Sequence, residues 1–109
     1  MSISDEQRES RKQYEKVVNV VRHNTTPKQP PMIEATTVRL ICGYSGMDAS
    51  TVNSKLKRAV KNDDLLTDGN RFCVTDDAER LQRAAEAVAK QVPVNQDLLG
   101  KINKAKMNL

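Results

Sequence analysis

The chain has 109 residues, 38% of them apolar and 29% charged, enough for one domain with one small core and too few for two. Lys and Arg total 18 against 14 Asp and Glu, a net charge of +4. No apolar run nears the ~20 residues of a membrane span, the polar opening does not read as a signal peptide, and Cys42 and Cys73 are too few for a disulfide scaffold. A membrane protein, a disulfide-stapled miniprotein and a multidomain enzyme are therefore excluded.

Residues 1–9 are polar and are expected to form a flexible N-terminus. Tyr14, Val17, Val18 and Val21 fall at i, i+3, i+4 and i+7, which predicts a helix from Ser10 to about His23. Pro27, Pro30 and Pro31 make 24–31 an extended connector, and 33–36 suit a short strand. Thr37 to Cys42 is a compact apolar run that periodicity alone leaves as strand or helix, and the capped helix that follows makes it the short first helix of a helix-turn-helix. Gly43, Ser45 and Gly46 interrupt it. Asp48 is the preferred N-cap of the next helix, with Ser50 its rival. Ala49, Val52, Leu56, Ala59 and Val60 mark the buried face of that helix, which ends near Asn62.

Asp68-Gly69 is a strong hairpin signal and places a two-stranded hairpin over 65–75, with Phe72 and Val74 on one side. Thr75 is expected to cap a further helix, with Asp76 and Asp77 in its first turn and a stripe of Ala78, Leu81, Ala85, Val88 and Val92, stopped by Pro93. Leu98, Leu99, Ile102 and Ala105 give 93–109 the pattern of a basic amphipathic tail or short helix.

The order is helix, connector, helix, turn, helix, hairpin, helix. With Cys42 through Val60 and Leu65 through Thr75 in that arrangement, the chain resembles the small winged helix-turn-helix DNA-binding proteins of the prokaryotic, archaeal and viral regulator type. The resemblance covers roughly 14–92 and implies a mainly α fold with a small β-hairpin, an α+β domain over 10–92. Two features depart from that pattern. Gly43 and Gly46 stand where one glycine is usual, and Asp63-Asp64 replaces the glycine that commonly precedes the pair leading into the hairpin. Asn62 is expected to take the left-handed cap position instead.

The charge is segregated. Residues 47–61 hold Lys55, Lys57, Arg58 and Lys61 against Asp48 alone, a local field that attracts phosphate. Stepping 100° per residue from a core-facing Val52 places Ser50, Ser54, Lys57 and Lys61 outward, with Thr51 and Arg58 on the shoulder and Asn53 to the side. Small polar groups early in a helix suit base edges in the major groove, and long cations later suit phosphates. Base contacts are therefore expected from Ser50, Thr51, Asn53 and Ser54. Phosphate contacts are expected from Lys55, Lys57, Arg58, Lys61, Arg71, Lys28 and Arg39, with Asp68 weakening the contact at the hairpin tip.

His23 lacks partners for catalysis or for a metal, and adjacent acids such as Asp63-Asp64 do not face one another on a helix. No enzymatic motif is present, so no catalysis, cofactor, metal or small-molecule ligand is expected. The expected partner is double-stranded DNA, the expected role a small cytoplasmic transcription regulator. A protein–protein assembly module and a replication or plasmid- or virus-maintenance DNA binder are the alternatives. A homodimer is expected, because paired half-sites extend what one helix reads. Tyr14, Val18, Leu98, Leu99 and Ile102 are its candidate interface.

Overall fold

Ser4 starts the first helix through a reciprocal cap: its hydroxyl accepts from the Gln7 amide at 3.2 Å and Gln7 Oε1 accepts from the Ser4 amide at 3.3 Å. The computed structural model describes residues 4–26 and 31–109. Helix α1 covers Asp5–Asn24, so it begins well before the expected Ser10. Periodicity alone missed this start because the first turns carry no apolar residue. Val17, Val18, Val20 and Val21 are its buried face. Thr25 is fully buried beyond its end, with its hydroxyl donating to the Val21 carbonyl at 3.0 Å.

Strand β1 is only Ile33–Glu34, because Ala35 already opens helix α2, Ala35–Gly43. The run at 37–42 is thus helical, as the helix-turn-helix order implied. Its end is closed by Gly46 at φ +86°, whose amide donates to the Gly43 carbonyl while Met47 reaches back to Cys42. Gly46, and not Gly43, supplies the left-handed residue this closure needs.

Helix α3 covers Ala49–Lys61 and is capped by Asp48, which accepts from the Thr51 amide at 2.8 Å. Such a cap contributes about 1 kcal/mol. At the other end Asn62 has φ −83°, and Asp63 at φ +62° takes the left-handed position expected of Asn62. The Asp63 amide donates to Val60 and the Asp64 amide to Ala59, which satisfies two terminal carbonyls.

Strands β2, Leu65–Thr67, and β3, Arg71–Val74, form the expected hairpin. Leu65 pairs with Val74 and Thr67 with Phe72, while Ile33 pairs with Phe72 from the other edge. The result is a three-stranded antiparallel sheet in the order β1-β3-β2. Helix α4 covers Ala78–Ala89 and α5 covers Gln96–Met107. Asp77 caps α4 in place of Thr75, whose hydroxyl instead donates to the Asp63 carbonyl at 2.8 Å. Val92 is 97% exposed and does not extend the α4 stripe, because the helix has already ended.

The sheet has a core on each face, where composition pointed to one. Leu65, Phe72 and Val74 join Val17, Val21, Val38, Val52 and Leu56 under α1, α2 and α3. Leu66 and Cys73 point the opposite way and join Met32, Leu81, Val88, Leu98 and Ile102 under α4 and α5. Alternation along a strand makes this division, and apolar side chains at both parities let one sheet serve two layers. Burying each of Leu81, Leu98 and Ile102 stabilises the second layer by about 1.5–3 kcal/mol. The architecture is a mainly helical α+β domain with a small antiparallel hairpin, consistent with a winged-helix-like fold.

Candidate nucleic-acid interface

Packing fixes α3 by Val52, Leu56 and Ala59, which are buried, and so turns Ser50, Asn53, Ser54, Lys57, Arg58 and Lys61 to solvent. Thr51 and Lys55 are half-buried on the flank. The α3 residues assigned to bases and phosphates therefore lie on one continuous outer surface, with their chemistry differing by position.

Ser50 is engaged at the cap, its hydroxyl donating to Asp48 Oδ1 at 3.0 Å. The Thr51 amide, then the Thr51 and Ser50 side chains, hold the Asp48 carboxyl below the usual carboxylate range. Asn53 is also engaged, since its Oδ1 accepts from the Arg39 guanidinium of α2 at 3.0 Å. The Ser54 hydroxyl has no hydrogen-bond partner among the described residues, and Lys57, Arg58 and Lys61 have no carboxylate within 4 Å there. Among the groups assigned to DNA, these four carry the least internal competition.

The hairpin tip is different. Asp68 Oδ1 accepts from the Asn70 and Arg71 amides at 2.9 and 2.7 Å, and Asp68 Oδ2 takes the Arg71 guanidinium at 3.1 Å. Burial raises the pKa of Asp68, but the Arg71 and Asn70 amides and the Arg71 guanidinium together outweigh it and hold the carboxyl down. Arg71 is therefore neutralised where it stands. Lys28 lies outside the described residues.

The residues assigned to a dimer interface have other work. Val18 is buried in the first core, and Leu98 and Ile102 are buried in the second, with Leu99 packed against it. Tyr14 packs on the first core and its hydroxyl donates to Asp64. Burial and then that bond raise the Tyr14 pKa. Val18, Leu98 and Ile102 are interior side chains of one chain, while Tyr14 and Leu99 are half-buried at its edge.

Sequence reasoning missed Arg11. A cleft of about 500 Å³ between α1 and α3 is lined by Ser10, Arg11 and Tyr14 on one side and Lys55, Arg58 and Asn62 on the other. Lys55 Nζ donates to Ser10 Oγ at 2.6 Å. The signal was present, because residues 10 and 11 continue the helix face of Tyr14, Val17, Val18 and Val21 by one turn. A cleft of about 420 Å³ opens elsewhere between Val60, Leu66, Thr67, Lys101, Lys104 and Leu109.

Cys42 and Cys73 are reduced and buried, and burial, with Asp68 adding to it, pushes the Cys73 thiol up to about 12. Among the described residues no three His, Cys, Asp or Glu gather as metal ligands, and no helix is long and apolar enough to cross a membrane. The chain matches no family model, no curated protein and no solved structure, so its site is read from geometry and chemistry alone.

Proposed function

We propose that the protein is a winged helix-turn-helix protein that binds double-stranded DNA in a sequence-specific way and acts in the cytoplasm as a small transcription regulator. The observation that carries this reading is the outer face of α3: an unpartnered Ser54 followed by Lys57, Arg58 and Lys61 without a carboxylate beside them. A helix with that face enters the major groove with its hydroxyl toward base edges and its cations toward the flanking phosphates. The hairpin contributes less than the resemblance implied, because its strands are buried on both faces and Asp68 occupies Arg71.

Titration of a labelled mixed-sequence duplex at about 50 and 200 mM salt tests the reading, since affinity carried by phosphate contacts falls steeply over that range. No binding at the lower salt overturns it. The protein–protein alternative draws support from Leu40 of α2 and Tyr44 at its C-cap, which are 60% and 83% exposed. Replication or maintenance binding uses the same face of α3 and differs only in the sequence selected. Homodimerisation on paired half-sites remains part of the proposal, through residues other than those buried in the core.

A further inference from the structure

We propose that the cleft between α1 and α3 is a phosphate clamp, in which Arg11 from the first helix closes with Lys55 and Arg58 on one phosphate group. For a DNA phosphate this deepens, and rests on, the reading of α3 as the groove-entering helix. Lys55 and Arg58 lie about 60° and 120° round α3 from Val52, on the flank toward α1, whereas Ser54 and Lys61 point outward. The clamp therefore stands beside the groove-reading face, where a flanking strand passes.

Three properties make the cleft a site. It gathers three cations and no carboxylate among its lining residues. Asp64 accepts from the Tyr14 hydroxyl and is not among the residues that line the cleft. Lys55 is half-buried and its ammonium is pinned by Ser10 at 2.6 Å, which leaves two of its three N–H donors for an anion. Arg11 and Arg58 are exposed and have no carboxylate within 4 Å among the described residues, so each can offer a planar fork to phosphate oxygens. Three cations held together without a counter-charge repel one another, and an anion between them relieves that repulsion.

A phosphodiester of DNA and a free phosphate share this chemistry, and the experiment separates them. The full chain is titrated with inorganic phosphate at low ionic strength while amide resonances are followed, and with duplex DNA across salt. Wild type, Arg11→Gln, Arg11→Lys and the outlying Arg83→Gln are compared, with thermal unfolding as the check on folding. The expected result is phosphate-dependent shifts at Ser10, Lys55 and Arg58 that Arg11→Gln abolishes. For a DNA phosphate, Arg11→Gln also reduces the salt slope by about 0.9, Arg11→Lys restores it and Arg83→Gln leaves it unchanged. If the shifts occur but the DNA slope is indifferent to Arg11, the clamp stands as a site for free phosphate. If phosphate shifts these amides while no duplex binds, the clamp stands and the DNA reading falls. If phosphate moves nothing and Arg11→Gln leaves the slope unchanged, the clamp is overturned and DNA binding by α3 is untouched.

Discussion

Arg39 of α2 donates to Asn53 Oδ1 of α3 at 3.0 Å, which joins a side chain assigned to phosphate with one assigned to a base. The bond takes one Arg39 donor and the Asn53 oxygen, which fixes both side chains and leaves the Asn53 NH2 and the other guanidinium N–H groups for DNA. The bond is exposed, so its loss costs at most about 1 kcal/mol of stability. Asn53→Ala frees Arg39, and is expected to preserve binding to arbitrary duplexes while losing about 1–3 kcal/mol of discrimination on the preferred site. Arg39→Ala should weaken all duplexes alike. Competition titrations with a selected site and a scrambled duplex check both, and equal losses for Asn53→Ala on the two duplexes count against a base contact.

Asp68 makes the hairpin turn sensitive to acid. Its folded pKa lies below the unfolded value of about 3.9, so its contribution is fully present above that value and is lost as pH falls through the folded one. The Asn70 and Arg71 amides should therefore lose protection below about pH 4 and remain protected at neutral pH. Asp68→Asn should remove that titration. It should also release Arg71 and tighten non-specific duplex binding at pH 7. Amide exchange from neutral to acidic pH, with one DNA titration, measures both effects. An unchanged acid transition in the variant would assign it elsewhere, Asp48 at the α3 N-cap being another carboxyl held low.

Local chemistry was legible in the sequence where one residue type has one use. Asp48 caps α3 and Asp68-Gly69 turns the hairpin as their residue types dictate, with Gly69 at φ +100°. Asn62, Asp63 and Asp64 are all tolerant of a turn, so the choice of Asp63 for the left-handed position was set by where α3 stops packing. The second core was legible in principle. Leu65-Leu66 and Phe72-Cys73-Val74 are apolar at both parities, which is the pattern of strands covered on two faces. The helix periodicity places Arg11 on the face of Tyr14 and Val18, but that α3 lies against that face is a long-range contact no local pattern states.

Ile102 distinguishes a core role from an interface role. It is fully buried with Leu98, Leu81 and Val88. Ile102→Ala should cost about 2–5 kcal/mol and lower the unfolding midpoint by on the order of 10 °C or more. Sedimentation of the folded variant should match wild type. A fall in mass with an unchanged unfolding midpoint would instead place Ile102 between subunits.

Ser54 and Lys57 stand next to each other on the outer face of α3 and should fail differently. Lys57 has no carboxylate within 4 Å among the described residues, so all of its charge is available to a phosphate. Lys57→Ala should weaken every duplex by a similar factor and reduce the salt slope by about 0.9. Ser54 is uncharged and without an internal hydrogen bond among the described residues, so its loss leaves the slope alone. Ser54→Ala should cost about 1–3 kcal/mol on the preferred site and little elsewhere. Selection from a random duplex pool supplies that site and comes first. If no motif is enriched while both variants lose affinity equally on every duplex, α3 grips backbone without reading sequence, and the protein is an architectural binder with the same fold.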